Sequence, residues 1–203
     1  MLCMIAKLDN EATEKLLSLQ RIALSAMPAI KPLHGHITIA AYMGENETAF
    51  IRFCKELLSS AAPFLVRYTG LEVLSETSLI VAIPERSPML EAMHDRIEEA
   101  YGAALNLWTR GDRWLPHTTL VQGPELDLNK LCRSMQVRFV PFSACIYEIE
   151  FSRVLGSGYE IVDRIRLSCS AQRCGDPPLK RGGEGRYFTG KSSPFGFVIS
   201  RNG

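Results

Sequence analysis

Two spacings of apolar residues alternate along the chain. Residues 2–8 form a short apolar run closed by Lys7 and Asp9, which reads as a β-strand. Ala12, Leu16, Leu19, Ala23 and Ala26 then recur at helical spacing. Asp9 or Asn10 stands at the cap, Glu11 and Glu14 in the first turn, and Pro28 at the stop. A strand is predicted over 36–43, and a helix over 47–60 with Phe50, Phe53, Cys54, Leu57 and Leu58 on one face. Residues 64–74 and 78–83 read as a hairpin around Ser75-Glu76-Thr77. Ser87 and Pro88 open a further helix whose inner face is predicted to be Met89, Met93, Ile97 and Tyr101. A strand over 116–122, a helix over 128–136 and two strands over 138–155 and 158–169 follow, the last two turning at Gly156-Ser157-Gly158.

The order strand, helix, loop, strand occurs twice, and each second strand carries a histidine, one spacer and a threonine. The segments are His36-Ile37-Thr38-Ile39 and His117-Thr118-Thr119-Leu120. From Ile5 to His36 is 31 residues, and from Ile80 to His117 is 37, a difference of one loop. An internal duplication of this kind predicts an α+β fold of two pseudo-symmetric lobes, antiparallel sheets with outer helices around a central cleft.

Side chains two apart on a strand share a face, so each segment places an imidazole beside a hydroxyl. Facing one another, the two pairs would surround one phosphate with a general acid, a general base and two oxyanion donors, and no metal is needed for that chemistry. Two satisfied core histidines are the bland alternative, but that reading leaves the repeated placement unexplained. His34 is expected on an exposed loop, and His94, off the apolar stripe, at the surface. Tyr42 falls on the His36/Thr38 face by alternation and could line the mouth of the cleft; core or edge packing is equally compatible with the sequence. Arg113 and Trp114, just before the second motif, could meet a phosphate and stack on a base; a solvated arginine and a core tryptophan are equally compatible with the sequence. Neither a P-loop nor a dinucleotide fingerprint follows a strand, and no C-x-x-C or H-x-x-x-H pair occurs.

Composition narrows the class. With 46% hydrophobic and 22% charged residues among 203, this is the make-up of a soluble globular chain, one domain or two small lobes. Its apolar runs are shorter than a membrane span, and the first residues lack the pattern of a signal peptide, so a cytoplasmic location is expected. Six scattered cysteines then read as reduced packing residues. The net charge of +1 is uneven: residues 171–203 hold six basic and two acidic residues with seven glycines and three prolines, leaving −3 on residues 1–170. The body is therefore no general binder of polyanions, and a duplex-DNA partner is not expected. Residues 171–203 are expected to be a flexible basic tail on a domain of residues 1–170.

The paired motifs, with Gly35-His36-Ile37-Thr38-Ile39-Ala40, Trp114-Leu115-Pro116-His117-Thr118-Thr119-Leu120 and the closing segment Ile149-Glu150-Phe151-Ser152-Arg153-Val154, resemble the two-histidine phosphoesterase superfamily, in particular the bacterial 2′-5′ RNA ligase and cyclic phosphodiesterase family. The resemblance covers roughly residues 1–170. It implies two lobes around a cleft floored by both motifs, catalysis by His36, Thr38, His117 and Thr119 without a cofactor, and an RNA end or a small cyclic nucleotide as substrate. It further implies His36 as proton donor and His117 as acceptor in a phosphodiesterase reaction on 2′,3′-cyclic phosphates or 2′-5′ linkages. The alternatives are a 2′-5′ RNA end ligase using the same residues, or a nucleotide-binding module without catalysis. A monomer is expected.

Overall fold

Each element begins where a side chain can receive the first unpaired amides of a helix or where an apolar run can pair. The computed structural model describes residues 1–26, 33–123, 127–156 and 158–168. Within them run β1 (Leu2–Leu8), α1 (Asn10–Ala26), β2 (His36–Tyr42), α2 (Glu47–Leu57), β3 (Phe64–Leu74), β4 (Leu79–Pro84), α3 (Pro88–Tyr101), β5 (Thr118–Gln122), α4 (Leu128–Gln136), β6 (Phe142–Leu155) and β7 (Gly158–Arg166). The predicted tail, with Cys169 and Cys174, lies outside the described residues, as does Pro28. Asp9, rather than Asn10, caps α1: its Oδ1 accepts from the Ala12 amide at 2.9 Å. Asn46, Ser87 and Asp127 do the same for α2, α3 and α4.

The strands pair antiparallel in one seven-stranded sheet of order β2-β1-β6-β3-β4-β5, with β7 beside β6. The hairpin over β3 and β4 forms as predicted, with the turn at Ser75–Thr77 and Leu74 opposite Leu79. The repeat is longer than the sequence suggested. The unit β1-α1-β2-α2-β3 is matched by β4-α3-β5-α4-β6, and the third strand of each unit pairs with the first strand of the other. Thus β6 lies against β1 along 146–153 and against β3 along 142–146, and the two lobes are halves of one sheet.

Each motif strand carries a register shift at the same place. Met4 pairs with Ala40 but Ile5 with Thr38, so Ile39 is the extra residue of β2. Ile80 pairs with Val121 but Val81 with Thr119, so Leu120 is the extra residue of β5. Both bulges fall directly after the motif threonine. Before the bulge, Ile37 and Thr118 turn inward while His36, Thr38 and Thr119 stay part-exposed; after it, two consecutive residues face the core.

That flip corrects the reading of Tyr42. Alternation from His36 had placed it at the cleft mouth, but beyond the bulge it faces the core. There it is buried, stacked on Phe50 at 4.5 Å and edge-on to Tyr101. The inner face of α3 is also turned from the predicted one. Leu90, Met93, His94 and Ile97 are buried and Met89 is exposed, so His94 is a core residue and not a surface one. Cys3, Cys54 and Cys132 are buried free thiols, as expected of packing residues, while Cys145 is half-buried. Among the described residues, no helix is long and apolar enough to cross a membrane.

Candidate active site

The loop ahead of each motif ends in a carbonyl that catches the histidine ring. His36 Nδ1 lies 2.9 Å from the His34 carbonyl and His117 Nδ1 lies 2.7 Å from that of Leu115, two residues back in both cases. A carbonyl only accepts, so each Nδ1 carries the proton and each neutral ring keeps its lone pair on Nε2. His117 stands one residue ahead of β5, where the sequence had placed it inside a strand.

Burial away from water pushes His36 down from the usual 6.5 to about 4. The carbonyl of His34 and the carboxylate of Glu150 offset part of this, while Lys7 and His117 add to it. His117 is lowered too, chiefly by burial and against its bond to Leu115. Both imidazoles are therefore neutral near pH 7 in the free protein.

His36, Thr38, His117 and Thr119 open into one cleft of about 350 Å³. Arg113 and Trp114 line it as well; Tyr42 does not. The Arg113 guanidinium carbon lies 5.8 Å from the ring centre of Trp108, a cleft residue that the sequence reading passed over. Trp108 stands in a single 3₁₀ turn, Leu107–Thr109, too short to show a periodicity, so only its indole signalled it. The tip of the β3–β4 hairpin, with Ser75, Glu76 and Thr77, also lines the cleft. Trp114 serves both readings of it: it lines the cleft, yet one ring face is covered by buried His94 at 3.9 Å. His34 is exposed, and it contributes its carbonyl.

The second repeat also closes the outer edge of β2. From one end to the other, Met43 N–H donates to Ala104, Asn106 N–H to the Ala41 carbonyl, and Ala41 N–H to Thr109 Oγ1. The indole Nε1 of Trp114 donates to the Thr38 carbonyl at 3.0 Å, and Thr118 Oγ1 to that of His36 at 3.0 Å. Thr118, read as a mere spacer, is wholly buried and also meets the phenol of Tyr68 at 2.5 Å. The available signal was a threonine where the first motif has Ile37. Among the described residues, no three His, Cys, Asp or Glu side chains converge as a metal-holding group.

The family model described as the 2′-5′ RNA ligase superfamily matches residues 10–157. No curated protein matches the chain. Similar solved structures include the TT0787 protein of Thermus thermophilus, at 18% identity and a TM-score of 0.62, over 82% of this chain and 97% of that one. Escherichia coli LigT complexed with 3′-AMP is 16% identical with a TM-score of 0.59, over 82% and 97%. A structure described as a phosphoesterase is 16% identical with a TM-score of 0.56, over 82% and 98%. At these identities the likeness speaks to the fold, while the match over 10–157 speaks to the lineage. The chain belongs to the 2′-5′ RNA ligase superfamily.

Proposed function

We propose that this protein is a metal-independent phosphodiesterase acting on 2′,3′-cyclic phosphates or 2′-5′ linkages of RNA ends or small nucleotides. The observation that carries the reading is the matched pair of imidazoles, each anchored through Nδ1 and each beside a threonine in one cleft. LigT, which shares the fold, has been solved in complex with 3′-AMP, and that supports a nucleotide as the ligand.

In the proposed reaction, His117 Nε2 takes a proton from the attacking water as its oxygen bonds to phosphorus. The bond from phosphorus to a ribose oxygen breaks, and His36 Nε2–H supplies that oxygen with a proton. Thr38 and Thr119 donate to the non-bridging oxygens as charge builds on them. Because both rings are neutral in the free protein, the proton on His36 is stabilised by the anionic phosphate itself. Arg113 meets phosphate, and the indoles of Trp108 and Trp114 offer apolar surface to a base. The reverse reaction, joining a 2′-hydroxyl to a phosphate, would use the same groups.

The test is turnover of a 2′,3′-cyclic mononucleotide in EDTA by the wild type and the His36→Ala/His117→Ala double variant. Turnover by the wild type alone is expected. Equal rates in both, or loss of wild-type activity to EDTA, would overturn the reading. Tight nucleotide binding without turnover would favour the binding-module alternative.

A further inference from the structure

The two histidines come from different repeats, and their separation depends on how β2 and β5 are held against one another. Among the described residues, β1 is the one strand that pairs with β2, and the other edge of β2 is held by residues 104–118 of the second repeat. The bond from Thr118 Oγ1 to the His36 carbonyl ties its motif end directly to the second motif. Since the Thr118 proton is committed to that carbonyl, the contact with Tyr68 has the phenol as donor. The chain of bonds therefore runs from Tyr68 on β3, through the Thr118 hydroxyl, to the backbone of His36. Tyr68 is wholly buried and its phenol is held firmly in the neutral, donating form by desolvation.

Thr118 sits between His117 and Thr119, so its backbone carries the second motif while its hydroxyl grips the first. The equivalent position of the first motif is Ile37, buried and without a hydroxyl, so the tie is one-way. We infer that Thr118, with Tyr68 behind it, is a positioning residue that sets the spacing and tilt of the two imidazoles. Displacement at phosphorus needs the attacking and leaving oxygens in line, so acid and base must stand at a fixed span on opposite sides of the phosphate. In its kinetic consequence this inference rests on the phosphodiesterase reading; in its geometry it does not.

Three variants and two measurements decide it. Thr118→Val keeps the shape and removes the hydroxyl, Thr118→Ser keeps the hydroxyl, and Tyr68→Phe removes the donor behind it. With the cyclic mononucleotide, Thr118→Val is expected to lower kcat about 10- to 100-fold with KM changed less than about threefold. Thr118→Ser should recover most of kcat, and Tyr68→Phe should fall between. Crystal structures of the wild type and Thr118→Val need no substrate: the separation between the two Nε2 atoms should widen in the variant. Wild-type kcat in Thr118→Val, an equal loss in Thr118→Ser, or an unchanged Nε2 separation would each overturn the inference. A wild type that turns over nothing would sink the phosphodiesterase reading, and the pair of crystal structures would still decide the tie.

Discussion

The imidazole of His94 lies 3.9 Å from the indole of Trp114, with the two ring planes 2° apart. His94 is buried and its Nε2 lies 3.1 Å from the Thr109 carbonyl. Trp114 in turn reaches the Thr38 backbone, so a residue of α3 steadies the first motif through one intermediary. His94→Ala should cost about 2–4 kcal/mol in urea unfolding, from the cavity and the carbonyl left without its donor. His94→Phe keeps the stack and should cost about 1–2 kcal/mol. A His94→Ala protein as stable as the wild type would contradict this packing.

Tyr42 belongs to the core and does not line the cleft. Tyr42→Phe should leave cyclic-nucleotide turnover within about twofold, because the ring stays stacked on Phe50. Tyr42→Ala should lower stability by about 3–5 kcal/mol. A large loss of activity in a stable Tyr42→Phe protein would return this residue to the cleft.

The threonines are proposed to hold oxygens in the transition state more tightly than in the bound substrate. Thr38→Val and Thr119→Val should each lower kcat about 100-fold with little change in KM. A rise in KM at constant kcat would show that they serve binding alone.

Stability should fall on mild acidification. Unfolding returns both imidazoles to the ordinary value near 6.5, whereas His36 is held at about 4 in the fold and His117 is also lowered. Between about 6.5 and 4 the unfolded chain binds protons that the folded chain refuses, so stability drops as pH falls through that window and levels off below it. Both rings are half-buried, which limits the effect to about 1–2 kcal/mol. The difference between wild type and a His36→Gln/His117→Gln variant, measured by urea unfolding at several pH values, isolates this contribution.

The same shifts bear on rate. In the free enzyme both groups titrate below 6.5, so the optimum of kcat/KM should lie on the acid side of that value. The optimum of kcat, which reports the complex with an anionic phosphate, should lie higher. Coincident optima would contradict a substrate-raised imidazolium.

Much of this was legible in the chain because period and punctuation are local. The caps at Asp9 and Ser87, the hairpin at Ser75–Thr77 and the two His/Thr segments can each be read within about ten residues. Cleft and core stayed equally open for Tyr42 because the bulge at Ile39 is set by pairing with β1, and alternation across it cannot hold. His94 was misplaced because the stripe of α3 was phased one residue early, from Met89, and because the loop carrying Trp114 folds over that side of the helix. The cover that residues 104–118 give to β2 joins segments more than sixty residues apart, and no local pattern announces it.

The crossing of third strands also orders events in time. β1 is finished at Leu8, but one of its two neighbours is β6, which ends at Leu155. At typical rates of synthesis, roughly 5–20 residues per second, the N-terminal strand waits on the order of ten seconds on the ribosome for that partner. Through that interval both β1 and β3 lack the strand that joins them, so the first repeat keeps two unpaired apolar edges until β6 emerges.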